Sequence, residues 1–233
     1  MRKIFAILGL FALLLTTGCV QKTPDYYKEI KNAKSLYEQL DSAHITMTDL
    51  NSGEELMDFS FYINNDDEMI FSYRGTEDEG ESQAYSDGAQ FFYKNADETG
   101  WRTITSDDES YLYNLYTRKY RYPYARGSIF FLDGTSVANT ISVESGGILT
   151  VTYVYDPEKL NSYAAERLDN VSEFISLTAV YELDEEGRLL SFTERGTVKD
   201  EQGVQSEVNM RITVDHMNEV YEIAYPVGEL ITE

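Results

Sequence analysis

The sequence predicts an α+β fold, a single curved antiparallel sheet with helices packed on its apolar face. Three observations predict it. From His44 onward, apolar and polar residues alternate with a period of two, in runs separated by short turns rich in Asn, Asp and Gly. Two segments carry apolar residues at helical spacing behind an N-cap and a proline. The late strands each keep one dry and one wet side, as an antiparallel sheet does when only one face is covered.

Taken in order, Thr23, Pro24 and Asp25 supply an N-cap, a first-position proline and a first-turn acid. Tyr26, Ile30, Ala33, Tyr37 and Leu40 then recur on one helical face, so a helix is expected from Pro24 to about Ser42. Strands follow at His44–Leu50, Glu55–Asn64, Glu68–Arg74, Ser82–Tyr85, Ala89–Asn95 and Trp101–Thr105. Their turns are Asn51-Ser52-Gly53, Asn64 to Asp67, Asp87-Gly88 and Asp97 to Gly100. Phe59, Phe61 and Ile63 share a face, as do Met69, Phe71 and Tyr73.

The pattern breaks at Ser106-Asp107-Asp108-Glu109, a capping box that opens a short helix through Leu112, Leu115 and Tyr116. Pro123 interrupts it, and Ala125 to Leu132 adds a further helical turn or two. Strands resume at Thr140–Glu144 and Ile148–Tyr155 around Gly146-Gly147. Asp156 and Pro157 start a second amphipathic helix, with Leu160, Tyr163, Ala164, Arg167 and Leu168 behind them, reaching about Asp169. Three long strands close the chain, joined by Asp184–Gly187 and Asp200–Gly203, which share an Asp-x-x-Gly pattern suited to a turn closed by a left-handed glycine.

The first eighteen residues have a different character. Arg2 and Lys3 precede an apolar run, Ile4 to Leu15, that as a helix covers about 18 Å. That is well short of the roughly 30 Å hydrocarbon core, so it reads as the apolar part of a signal peptide. Leu15-Thr16-Thr17-Gly18-Cys19 resembles the bacterial lipobox, with Thr16 where leucine is usual. The resemblance implies cleavage after Gly18 and acylation of Cys19. Cys19 is the one cysteine of the chain, so no intramolecular disulfide competes for it. Two or three acyl chains, at about 0.8 kcal/mol per buried CH₂, anchor stably where one does not. The expected organisation is a leader at 1–18, a lipidated tether at 19–23, one domain at 24–226 and a tail at 227–233.

The 233 residues carry a formal charge of −22. Loss of Arg2 and Lys3 with the leader leaves 17 of the 19 basic residues against 41 acidic ones, a charge of −24. Nucleic acid is thereby excluded as a general partner, and an anionic membrane surface repels the body that the lipid ties to it. The expected location is the extracytoplasmic side of a cell membrane.

No catalytic signature is present: no Gly-x-Ser-x-Gly elbow, phosphate loop or dinucleotide fingerprint. The acidic runs Asp66-Asp67-Glu68, Glu77 to Glu81 and Asp107 to Glu109 lack calcium-loop spacing. The two histidines, His44 and His216, stand near strand ends with no Cys or second His beside either, so no metal site is expected. Neither a cofactor nor an enzymatic activity is expected.

Two sets of residues remain as binding candidates. Arg118, Lys119, Arg121 and Arg126 form a basic cluster among Tyr111, Tyr113, Tyr116, Tyr120, Tyr122 and Tyr124, a local reversal of field suited to an anionic headgroup. The alternative is that these cations pair with nearby acids. The large rings of the strands form the second set, read either as half-buried sheet residues or as the lining of a ligand site.

A helix, six strands, a helical insert, two strands, a helix and three strands, after a lipobox, is an order that resembles the lipoprotein-carrier (LolA/LppX-like) superfamily. Its most specific piece here is Ser86-Asp87-Gly88 leading into Phe91-Phe92-Tyr93 and on to Trp101. The resemblance implies a half-barrel with helices across its concave face, an apolar cavity for acyl chains and a non-enzymatic role. Phe59, Phe61, Phe71, Phe91, Trp101 and Tyr181 are the candidates to line that cavity. The rival reading is an envelope protein that engages a protein partner through its sheet face or edge.

Overall fold

The computed structural model describes residues 26–77, 80–105, 113–115, 120, 134–167, 173–200 and 202–231. The leader, Cys19, most of the insert and all four residues of the basic cluster lie outside the described residues. Helix α1 (Tyr26–Tyr37) leads into β1 (Ser42–Asp49), β2 (Glu55–Ile63), β3 (Met69–Glu77), β4 (Gly80–Ser86), β5 (Gln90–Lys94) and β6 (Arg102–Thr105). A 3₁₀ turn at Gly134–Ser136 precedes β7 (Val137–Ser145) and β8 (Ile148–Tyr155). Helix α2 (Pro157–Arg167), β9 (Glu173–Leu183), β10 (Leu189–Lys199) and β11 (Gln205–Asp215) complete the order.

All eleven strands form one open sheet, in the order β6-β5-β4-β3-β2-β1-β11-β10-β9-β8-β7. Every neighbouring pair is antiparallel. Two meanders therefore meet at the β1–β11 seam, where Ile45 lies opposite Val214 and His44 opposite Asp215. Eleven strands at about 4.8 Å spacing span roughly 50 Å. The chain between β6 and β7 starts at one edge of this width and ends at the other.

Strand register stacks the apolar set on one face. Phe59 sits between Ile45 and Tyr73, Phe61 between Ala43 and Phe71, and Tyr181 between Val151 and Phe192. Ile30, Ala33 and Tyr37 of α1 and Leu160 of α2 join these strands in a single buried cluster, so both predicted helices pack on the predicted face. At about 25 cal/mol per Å² of apolar surface removed from water, this face is the main source of stability. The turns behave as their sequences require: Gly187 and Gly203 close the two Asp-x-x-Gly turns with φ of 79° and 82°.

Strand β7 starts three residues before the expected Thr140, and three further differences from the sequence expectation have a visible cause. Helix α1 ends at Tyr37, not Ser42, because the Oδ1 of Asn218 accepts hydrogen bonds from the backbone N–H of Asp41 (2.9 Å) and of Ser42 (3.4 Å), drawing this stretch into β1. Strand β3 runs three residues past Arg74, since Gly75, Thr76 and Glu77 pair with Ser82, Glu81 and Gly80. The C-terminal residues do not leave the domain at 226. Residues 217–231 form a strap over the opposite face of the sheet. Ile223 packs there on a second buried cluster of Ile70, Tyr85, Phe92 and Trp101. Trp101 donates its backbone N–H to Glu229 at 2.8 Å and accepts from Ile231 at 2.7 Å. A Cβ on Gly100 would lie 2.8 Å from the Glu229 carbonyl oxygen, so only glycine permits this approach.

Candidate functional site

Of the six lining candidates, Phe59, Phe61, Phe71, Phe91 and Tyr181 lie in the main cluster, each no more than 1% exposed. Their rings fill the face against one another. Phe59 is 5.9 Å from Phe61 and 5.6 Å from Phe71, and Phe71 is 6.3 Å from Phe91. Tyr181 is 5.8 Å from Tyr153 and 4.9 Å from Phe192. Trp101 does not join them. Just before β6, it is out of phase with Ile104, the inward residue opposite Phe91, and it sits on the other face beneath the strap.

Two kinds of cover close the apolar face. Over β8 to β10 lie the helices, with α2 set against β9 and α1 against β10. Over β3 to β5 the described cover comes from the insert. Tyr120, 2% exposed, meets Tyr73 edge-on at 5.0 Å and Phe91 at 5.7 Å. The Tyr113 hydroxyl donates to the Gly88 carbonyl at 2.6 Å and lies 3.4 Å from Ser86 Oγ. The insert thus contributes a core residue at Tyr120, one of the tyrosines that surround the basic cluster in the sequence.

One inward carboxyl went unnoticed in the sequence. Glu194 of β10 lies opposite Ala179 and Met210, in phase with Phe192. Burial pushes its pKa up, since the charged form loses water among apolar neighbours. The signal was legible: a strand reading Phe192, Glu194 and Gly196 on alternate positions places an acid on the phenylalanine's face.

Away from the strap, the opposite face carries polar, paired side chains. Arg211 bonds Glu182 and the Ser191 hydroxyl, and Arg74 bonds Glu55 and Asp58. At the β9–β10 turn, Asp184 is largely buried, which alone would raise its pKa. The Arg188 backbone and guanidinium outweigh this and hold it below the usual carboxylate range. Of the clefts bounded by described residues, one opens on the polar face and another beside α1 on the apolar side. One of about 340 Å³ lies between the strap and β2 to β4, lined by Asp58, Arg74, Tyr85 and Val227. Another of about 440 Å³ is lined by Glu29, Glu144, Leu149, Glu185 and Glu186. Against the sequence expectation, the β1–β11 pairing brings His44 and His216 together around Asp215.

No family model matches the chain, and no curated protein matches it. Among solved structures it is similar to LprF from Mycobacterium bovis, at 12% identity and a TM-score of 0.47, over 88% of this chain and 99% of that one. A chain of the Pseudomonas aeruginosa MucA/MucB complex follows at 10% identity and a TM-score of 0.33, over 82% of this chain. A chain of MucB in complex with MucA(peri) stands at 12% and 0.27, over 81%. This chain spans 56% of the length of each of the latter two. At these scores the likenesses carry no argument, and the fold rests on its own strand order.

Proposed function

We propose that the protein is a lipid-anchored, extracytoplasmic, non-enzymatic binding protein that takes an apolar or amphipathic ligand on the aromatic half of its inner face. The observation that carries this reading is the cover of that half. The rings of β2 to β5 are capped by side chains of the long β6–β7 connection, and displacing Tyr120 uncovers Phe91 and Tyr73 without breaking a strand pairing. The basic cluster of the same connection then meets the polar end of an amphipathic ligand. Among the described residues no helix is long and apolar enough to cross a membrane, and the anchor is assigned to acylated Cys19.

Native mass spectrometry of the domain from Thr23 tests the ligand. Co-purified lipid of defined mass is expected, with occupancy lost on heating. A bare domain that also fails to take up acyl-chain lipid from vesicles overturns the reading. Cys19→Ala tests the anchor: the variant should leave the membrane in detergent phase partitioning with its unfolding transition unchanged, and continued partitioning would require a different anchor.

A second reading, interaction with an envelope protein, is favoured by a specific feature. The two edges of the sheet differ. The four-residue β6 is preceded by Trp101, which pairs with the strap, whereas nine-residue β7 has no strand beyond it among the described residues. Ile141 and Val143 of β7 are 50% and 58% exposed. A long bare edge with apolar side chains is a template for a partner strand. Val143→Lys should abolish binding of such a partner and leave stability unchanged.

A further inference from the structure

The chain has two histidines, 172 positions apart, and the fold places both on one carboxylate. His44 lies on β1, on the polar face, opposite Asp215 at the end of β11. His44 Nδ1 is 2.8 Å from Asp215 Oδ1, and His216 Nδ1 is 2.8 Å from the same oxygen. The ring centroids are 6.2 Å apart, and the three potential ligand atoms all lie within 4.8 Å of one another.

The surroundings fix this arrangement. On its far side, His44 Nε2 is 3.3 Å from Asp58 Oδ1, while Arg74 donates to Asp58 Oδ2 at 3.2 Å. Asp58, held by Arg74, therefore stands behind His44 at ion-pairing distance, where a small turn of the ring lets it accept from Nε2, the arrangement that sets the tautomer and direction of metal-binding imidazoles. His216 is held by a tight turn with φ of 49° at His216 and 61° at Asn218, where the Asn218 N–H bonds the Ser42 carbonyl and the Glu219 N–H bonds the His216 carbonyl. A non-glycine residue in the left-handed region needs local support, and the turn supplies it.

We propose that His44, Asp215 and His216 form a binding site for a borderline divalent cation of the zinc class, with Asp58 orienting His44. Two imidazole nitrogens and one carboxylate oxygen suit zinc, nickel and copper better than calcium or magnesium, which prefer all-oxygen sets. In the metal-free form the imidazole nitrogens share protons with Asp215. On binding, each Nδ1 turns its lone pair to the cation. The proton of His44 moves to Nε2, where Asp58 accepts it, and that of His216 moves to its solvent-facing nitrogen. Solvent completes the coordination. The cation then bridges β1 and β11 at the seam between the two meanders.

Because the chain has only two histidines, one experiment reads the whole site. The full chain, expressed without acylation and with its Cys19 thiol alkylated, is titrated with zinc chloride in excess magnesium while both imidazole spectra are followed by NMR and the heat by calorimetry. Both histidines are expected to shift together and saturate at one equivalent. His216→Asn suits the left-handed turn, so the fold is retained, and it should weaken binding more than about tenfold and leave His44 unshifted. Asp58→Asn keeps all three ligands and should weaken zinc by about ten- to hundredfold at unchanged stoichiometry. Copper should bind more tightly than zinc. A shift of one histidine alone, no saturation at one equivalent, displacement by magnesium, or wild-type affinity in either variant would overturn the site.

Discussion

Over β8 to β10 the apolar face is covered by helices whose Ile30, Ala33 and Leu160 are fully buried, whereas over β3 to β5 the described cover is the rings of Tyr120 and Tyr113. Topology accounts for the difference. Helix α2 lies in sequence between β8 and β9, so it docks beside them at small cost in loop closure. Strands β1 to β6 follow one another through short turns and hold no helix between them. Their apolar face can be closed only from outside the meander, and the β6–β7 connection supplies Tyr120. Part of one half is therefore closed locally by α2, with α1 reaching β10 from the start of the chain, whereas the described cover of the other half is side chains of the β6–β7 connection.

The sharpest test of this contrast is the helix-covered half. Leu160→Ala removes a side chain with no exposure from between α2 and the β8–β9 strands. A loss of about 2–5 kcal/mol in global stability is expected, read from urea unfolding with an unchanged m-value. A loss below about 1 kcal/mol would show that this half also tolerates an open cover.

Tyr120→Ala tests the other half and should cost less globally, about 1–3 kcal/mol. Its signature is local. Amide exchange should speed up in β3 to β5 and a hydrophobic dye should bind the variant, while β8 to β10 stay protected. Uniform loosening of both halves would mean that the ring is an ordinary core residue and the two covers are equivalent.

The sheet was legible for the same reason that its halves differ, since local signals settle local structure. Period-two alternation between Asn, Asp and Gly turns located all eleven strands, with β8 matched at both ends. What escaped was decided across the chain. Asn218 ends α1 by bonding Asp41, 177 positions away. Trp101 reads as one more ring of the β5–β6 hairpin until Glu229, Ile231 and Ile223 hold it on the opposite face. His44 and His216 look isolated until β1 and β11 pair. Of the candidate site, five of the six lining rings share one face because alternation carries them there. Tyr120 stood in the basic-aromatic segment, where no periodicity marked it as buried.

The smallest expected effect concerns Glu194, the one acid placed in phase with the core on the helix-covered half. Its folded pKa is raised by burial. The folded chain therefore holds this proton at pH values where the unfolded chain has released it. Stability must fall as pH rises from the ordinary carboxylate range, near 4, through the raised value, and the penalty is complete above it. Each pKa unit of displacement corresponds to about 1.4 kcal/mol. Glu194→Gln keeps the shape and removes the charge, so it should be more stable than the parent at pH 7. The gain should shrink on acidification and vanish below about pH 4, where the parent is protonated in both states. Paired urea titrations at the two pH values measure it. A variant less stable than the parent at pH 7 would mean that the carboxylate has a cationic partner. The closed half would then contain a polar site of its own, and the contrast between a sealed half and an opening half would no longer hold.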